Sequence, residues 1–505
     1  MANCLVDALL AGAETAPKTP FATAADGTVY DRAALALGAR KMATALIDQG
    51  ILPGDRVAVQ VGKSLASLEL YLGTVMAGGV FLPLNTAYTA AEVSYFLGNA
   101  TPRVFVCDPA EQAGLISVAE AAGTQTVLTL DGKGEGTLAD AQSRAIPLEQ
   151  SIPRRPDDLA AILYTSGTTG RSKGAMLSHH ALLSNSQTLT DLWRFTEADV
   201  LIHALPIYHT HGLFVATNVA LLSGASLVFL PGFDADAILE AMPQATAMMG
   251  VPTFYTRLLA DPRLTPDRTA NMRLFISGSA PLLAETHRDW EARTGHRILE
   301  RYGMTETNMN TSNPYEGERR PGTVGFPLPD VTLRIMGEDG VEVAPGEIGV
   351  IEVRGPNVFS GYWQMPEKTA EELRPDGWFI TGDLGRVDAD GYVTIVGRAK
   401  DLIISGGFNV YPKEVESLID DLPGVLESAV IGVPHPDFGE AVIALVVPDG
   451  SGAVSRDSIL AGIADQLAKF KRPKEVLFLD ALPRNTMGKV QKAALRADHS
   501  DLLKD

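Results

Sequence analysis

Apolar positions along this chain follow two rhythms. Short unbroken runs recur at RVAVQV (56–61), VFLPL (80–84), RVFVC (103–107) and LAAILYT (159–165), and again at LIHAL (201–205), SLVFL (226–230), TAMMGV (246–251) and MRLFISG (272–278). Runs of that length predict strands covered on both faces. Helix-length segments separate them, including Ser64 to Ala77 and Ala90 to Gly98. This alternation predicts parallel sheets joined by helical crossovers. From about residue 320 the texture shifts to Gly, Pro and alternating β-branched residues, and Asp339-Gly340 is a hairpin turn signal. Residues 320–397 are therefore expected to be antiparallel β structure. Helix and strand patterns return from Tyr411 with YPKEVESLIDDL, AVIGVP and AVIALVVP. The expected division is 1–397, a joining segment 398–407 and a small C-terminal domain 408–505.

One stretch invites a membrane reading. From Val200 to Phe233 there is no Asp, Glu, Lys or Arg. His203, His209, His211, Pro206 and Gly224 interrupt it, which favours a strand, a histidine loop, a buried helix and a second strand. Composition agrees with a multidomain globular chain of 505 residues. Lys plus Arg is 42 against 61 Asp plus Glu, a net charge of −19 that argues against nucleic-acid or anionic-membrane partners. Two cysteines, Cys4 and Cys107, exclude a disulfide framework and fit a reducing compartment. No basic n-region precedes the first apolar stretch, so a cytoplasmic location is expected.

The richest chemistry lies in YTSGTTGRSKGAMLSHHAL (164–182). Gly167 and Gly170 allow a tight, close backbone, and Thr165, Ser166, Thr168, Thr169 and Ser172 supply hydroxyls. Arg171 and Lys173 supply positive charge, so the loop suits a polyphosphate. The P-loop pattern G-x-x-x-x-G-K-[ST] is absent. Gly170-Arg171-Ser172-Lys173-Gly174 fits the nucleophile-elbow pattern, but Ser172 lies seven positions past the strand end at Thr165, which argues against a hydrolase.

With four further segments in order, the chain resembles the adenylate-forming superfamily of acyl-CoA synthetases, luciferases and peptide-synthetase adenylation domains. The segments are ERYGMTET (300–307), GWFITGDLG (377–385), GRAKDLIISGGFNVYPKEVE (397–416) and PRNTMGKVQK (483–492). The resemblance implies an α/β fold: a large N-terminal domain of two parallel-type sheets with a small β-barrel-like subdomain, and a small mobile α+β C-terminal domain. It implies ATP contacts from the 165–170 loop and Lys173, from Ser279, Ala280 and Pro281 at the adenine, and from Glu300, Tyr302, Gly303, Met304 and Thr305. Asp383 and Arg398 are implied at the ribose, Thr305 at a phosphate oxygen, and Glu306 at Mg2+. Lys489 is implied as the catalytic lysine of adenylation, and Lys400 as the hinge about which the C-terminal domain turns. The thiol acceptor is expected to be coenzyme A, met by the backbone of Ser405, Gly406 and Gly407. Lys471, in the basic cluster KFKRPK (469–474), is a further CoA candidate.

Polar residues gather where a fatty-acid pocket needs apolar walls: His209, Thr210, His211, Arg301, Asn308 and Asn310. LPIYHTHGLF, SGSAPL and LERYGMTETNMNTSNP look most like malonyl-CoA synthetases. Malonate keeps a second carboxylate after the first is activated, and a buried carboxylate needs a cationic partner. Arg301 is the first choice, His209 the second, and Arg171 a contributor from the phosphate loop. Met309 and Thr210 are expected to set tolerance for methylmalonate. The competing expectations are a medium-chain fatty or aryl acid CoA ligase and, more remotely, a non-catalytic nucleotide-binding protein. A monomer or homodimer is expected, and the chemistry permits a lysine acetyltransferase to silence Lys489.

Overall fold

The computed structural model describes residues 3–165, 172–405, 408–436, 438–452, 454–485 and 488–503. The apolar runs form two mostly parallel sheets. A six-stranded sheet runs Thr126–Thr129, Val104–Cys107, Arg56–Gln60, Val80–Pro83, Leu159–Thr165 and Lys173–Ser178, and only its last pair is antiparallel. A nine-stranded sheet has at its centre the parallel strands Leu299–Met304, Leu274–Ser277, Ala247–Gly250, Val200–His203, Ser226–Phe229 and Pro20–Ala24.

Helices fill the space these sheets leave. Leu65–Met76 begins where Ser64 and Ser67 cap each other, and it is buried almost all round. It packs on Arg32–Asp48, whose first turn is capped by Asp31. Both helices share one apolar core with residues of the two sheets. The charge-free stretch resolves into the strand Val200–His203, a loop, a buried π-helical turn His211–Thr217 continuing as Asn218–Ser223, and the strand Ser226–Phe229. Among the described residues no helix is long and apolar enough to cross a membrane.

The Gly- and Pro-rich region forms a four-stranded antiparallel sheet of Thr332–Met336, Gly349–Arg354, Phe379–Val387 and Val393–Arg398. Gly340 turns the chain after the first strand with φ +76°, as its Asp-Gly signal requires. The C-terminal part is a separate sheet with its own apolar core, centred on the hairpin Val425–His435 with Gly439–Pro448. The helix Pro412–Asp420 lays Val415 and Ile419 on it.

Candidate active site

The site lies beyond the carboxyl ends of the parallel strands, where open α/β sheets gather ligands. One corner is set by register. Asp383 and Arg398 face each other across the strand pair Phe379–Val387 and Val393–Arg398. Arg398 Nε lies 2.7 Å from Asp383 Oδ1, and the Tyr302 hydroxyl donates to Asp383 Oδ2 at 2.5 Å. Asp383 thus has both oxygens held in orientation, a geometry suited to accepting from two hydroxyls.

The phosphate-loop residues Ser166, Gly167, Thr168, Thr169, Gly170 and Arg171 lie outside the described residues. The two ends of that loop, Thr165 and Lys173, are paired across an antiparallel ladder. Ser172 leads into the strand Lys173–Ser178, not into a helix, so the nucleophile-elbow context is absent. Lys173 Nζ is held by both oxygens of Glu372, at 3.0 and 3.1 Å, and by the Tyr362 hydroxyl at 3.1 Å. That hydroxyl also lies 3.0 Å from Glu306 Oε1.

Thr305 and Glu306 form the tip of the hairpin between Leu299–Met304 and Asn308–Ser312. Glu306 is 5% exposed, and burial raises its pKa against the opposing pull of its own backbone N–H, the Tyr362 hydroxyl, Lys173 and Arg398. Among the described residues no group of three or more His, Cys, Asp or Glu is placed to hold a metal alone. A single buried carboxylate near the Lys173 ammonium fits a magnesium ion that would complete its shell with phosphate and water oxygens.

Ser279 sits in the left-handed region with φ +72°, which costs a non-glycine residue on the order of 1–2 kcal/mol. Its hydroxyl lies 3.2 Å from His211 Nδ1. Ala280 is half-buried and Pro281 exposed. The carboxylate of Glu300, grouped by sequence with the nucleotide contacts, already has protein partners: its Oε1 meets His287 Nδ1 at 3.1 Å and the Gly322 N–H at 3.2 Å. Its strand neighbour Arg301 points to the opposite face, as the two-residue period of a strand requires. A Glu300–Arg301 ion pair is therefore ruled out.

Arg301 is the most unusual group in the site. It is 4% exposed, and its Nε and Nη2 have no hydrogen-bond partner among the described residues. No carboxylate there forms an ion pair with it, and burial pushes its pKa down to about 9, with Tyr255 opposing. His211, also buried, feels its charge. Gly278 leaves the space for it: a Cβ at Gly278 would come within 2.3 Å of Arg301 Cζ. Thr210 and Ser277 add two more buried hydroxyls without partners among the described residues. Burial pushes His209 down to about 4, which leaves it a neutral imidazole. Met309 is buried beside Gly303.

From the C-terminal part, the Lys489 loop reaches this site. A Cβ on Gly488, whose φ is +73°, would meet Thr253 of the helix Pro252–Leu259 at 3.5 Å. Lys489 keeps water contact, yet protein surrounds it on most sides. That crowding lowers its pKa to about 8, with Arg398 lowering it further and Asp383 opposing. Lys400 is exposed in the short turn Ala399–Asp401, and Ser405 is buried. Gly406 and Gly407 lie outside the described residues. Lys471 is already matched, with its Nζ 2.7 Å from each oxygen of Glu414.

A cleft of about 740 Å³ opens between the Lys489 loop and the N-terminal sheets. It does not include the Tyr302–Asp383–Arg398 corner, but shares the 204–208 wall and Gly488. Lys63, Arg257 and Arg484 line it, with no Asp or Glu. Sequence reading passed over Lys63, although Gly62-Lys63-Ser64 is a Gly-Lys-Ser triplet. Val57 stands where the P-loop pattern needs its first glycine, and Ser64 serves as a helix cap. Tyr362, Glu372 and Gly278 are further site groups whose pairings are too distant in sequence to be read from it, as is the contact of His211 with Ser279.

Residues 11–363 match the AMP-binding enzyme family, and residues 414–489 match the AMP-binding enzyme C-terminal domain. The structure is similar to ATP-bound MatB from Rhodopseudomonas palustris, with TM-score 0.97 and 59% identity over 99% of this chain and 100% of that one. Against apo MatB, at the same identity and coverage, the TM-score is 0.87. The chain is 35% identical to a malonate–CoA ligase of Arabidopsis thaliana (88% of this chain, 78% of that one). It is 37% identical to a feruloyl-CoA synthase of an Amycolatopsis species (95% and 96%). The chain belongs to the AMP-binding enzyme family and is an ATP-dependent acid–CoA ligase.

Proposed function

We propose that this ligase activates malonate, forming malonyl-CoA through a malonyl-adenylate with release of pyrophosphate and AMP. The observation that carries the reading is Arg301, a buried guanidinium with no anionic partner among the described residues. Leaving a cation buried and unpaired is expensive, so its natural complement is an anionic substrate group. A dicarboxylate supplies one carboxylate for activation and a second for Arg301, with His211, Ser277 and Thr210 offering further polar contacts. A fatty or aryl acid leaves all of these unsatisfied. The relatives activate acids of different chemistry, so the choice of acid rests on this pocket.

Each remaining residue then has a task. Asp383 accepts from the ribose hydroxyls and is held by Tyr302 and Arg398. Ser279, Ala280 and Pro281 line the adenine, while Thr305, Lys173 and the 165–171 loop hold the phosphates. Glu306 would hold magnesium, which when bound would neutralise phosphate charge. Lys489 places an ammonium where charge builds as the carboxylate attacks the α-phosphorus. The closer likeness to the ATP-bound relative supports an arrangement ready for adenylation. Rotation about Lys400 would withdraw Lys489 and bring the 405–407 segment to the adenylate for thiol attack. CoA would enter by the cleft, which Arg257 lines with no carboxylate partner among the described residues, leaving its charge available to an anionic cofactor. His209, being neutral, is a hydrogen-bond donor to the acid and not its counter-charge. Met309 and Thr210 would limit a 2-methyl substituent.

The test is acid-dependent exchange of pyrophosphate into ATP. Malonate should support it at low concentration, and methylmalonate more weakly. Octanoate or 4-coumarate supporting it as well as malonate would overturn the reading.

A further inference from the structure

Lys173 and Glu306 come from different sheets, and a third side chain stands between them. Lys173 opens the last strand of the six-stranded sheet, while Glu306 sits at a hairpin tip of the nine-stranded sheet. Residues 359–363 bond to both. The Met176 N–H donates to the Gly361 carbonyl at 3.0 Å and the Trp363 N–H to the Gly174 carbonyl at 2.8 Å, which ties the segment to the strand Lys173–Ser178. At its other end the Phe359 N–H donates to the Glu306 carbonyl at 2.8 Å. Gly361 turns the chain with φ +119°, and a Cβ there would lie 2.6 Å from Thr369 Cγ2.

Tyr362 is thereby fixed between the two groups. It is 2% exposed, its N–H donates to Thr369 Oγ1 at 2.9 Å, and its ring packs on Phe359 with centroids 4.8 Å apart. Its hydroxyl lies 3.0 Å from Glu306 Oε1, receives from Lys173 Nζ at 3.1 Å and donates to Glu372 Oε2 at 2.5 Å. Lys173 Nζ also lies 4.1 Å from the ring centre, so ring and hydroxyl both hold it. A tyrosine turns about few bonds, so its oxygen keeps its place better than the end of a long flexible chain would.

We infer that Tyr362 is a positioning residue for adenylation: its hydroxyl holds the Glu306 carboxylate in a set place relative to Lys173, so that one magnesium-bound triphosphate meets both. The inference rests on the reading that Glu306 takes magnesium and Lys173 the phosphates. A metal-ligating carboxylate is oriented by its own hydrogen bonds, and loss of such an outer partner costs about 10- to 100-fold in metal affinity or activity. Without the hydroxyl, Lys173 still has both oxygens of Glu372, so the loss falls mainly on Glu306.

The test is calorimetric binding of ATP without acid or CoA, once in excess EDTA and once in saturating Mg2+. The ratio of the two dissociation constants reports how strongly magnesium couples ATP to the protein. Tyr362→Phe keeps the ring and its packing on Phe359. Its ratio should fall about tenfold or more, while its affinity for ATP in EDTA should change less than about threefold. Glu306→Gln should lower the ratio at least as far, and adding Tyr362→Phe to it should lower it no further, because the two residues act on one metal. Loosened packing alone would weaken ATP binding equally with and without magnesium. An unchanged ratio in Tyr362→Phe, or losses that add in the double variant, would therefore overturn the inference. If Glu306→Gln itself left the wild-type ratio intact, the magnesium reading of Glu306 would fail, and the inference with it.

Discussion

Replacing Arg301 by methionine keeps the volume and removes the charge, and it should move two observables in opposite directions. The guanidinium is 4% exposed with two nitrogens unpartnered among the described residues. A buried charge in that state costs stability, and replacing buried charged groups by apolar ones often stabilises by about 1–4 kcal/mol. The apo Tm of Arg301→Met should therefore rise by roughly 2 °C or more in a thermal melt. Malonate binding should suffer in turn. Removing one partner of a buried, hydrogen-bonded charge pair costs about 2–5 kcal/mol, which at ~1.4 kcal/mol per decade is a loss of about 30-fold to several thousandfold in kcat/KM. Steady-state AMP release with malonate varied measures it. The KM for ATP should change less than about threefold, because the Tyr302–Asp383–Arg398 corner is untouched. A malonate kcat/KM within fivefold of wild type, or a lowered apo Tm, would refute the reasoning.

Gly278→Ala places a methyl group against the Arg301 guanidinium, so it should reproduce most of the malonate defect without touching the charge; normal malonate kinetics would show that the arginine can move aside freely. Lys489→Ala should lose pyrophosphate exchange by about 100-fold or more yet form thioester from supplied acyl-adenylate at near wild-type rate, and equal loss of both would contradict domain alternation. With its pKa lowered to about 8, Lys489 is charged below that pH and loses its proton above it. The kcat/KM of adenylation should therefore fall as pH rises through about 8, and Lys489→Arg should flatten that limb. Glu372→Gln frees Lys173 from a half-buried ion pair of about 1 kcal/mol, so the KM for ATP should drop up to about fivefold; a rise would make Glu372 an orienting group instead.

Periodicity was sufficient for most of the architecture. The strand at 56–61, the helix after Ser64 and the strand–loop–helix–strand reading of 200–233 are local patterns, and local patterns survive folding. Arg301 is legible as a candidate because it is a charge beside a motif tyrosine, among polar residues where a fatty-acid pocket needs apolar walls. Its isolation is not, since it depends on Glu300 turning to His287 and on the missing Cβ at Gly278. Lys471 shows the converse. Its basic cluster suggested CoA, but Glu414, 57 residues away, already holds its ammonium. Lys63 and His203 are 140 residues apart, and Lys173 and Glu372 are 199 apart, so tertiary packing alone reveals those pairs.

The central claim is that a buried cation with no anionic partner among the described residues selects an acid bearing a second carboxylate. One competition measures it directly. The enzyme is given ATP, magnesium, limiting CoA and equal concentrations of malonate, octanoate and 4-coumarate, and the thioesters are separated and counted. Their ratio reports relative kcat/KM in a single tube. The account predicts malonyl-CoA in at least about 100-fold excess over either alternative, matching a discrimination of about 3 kcal/mol. Octanoyl-CoA or coumaroyl-CoA in comparable amount would contradict it.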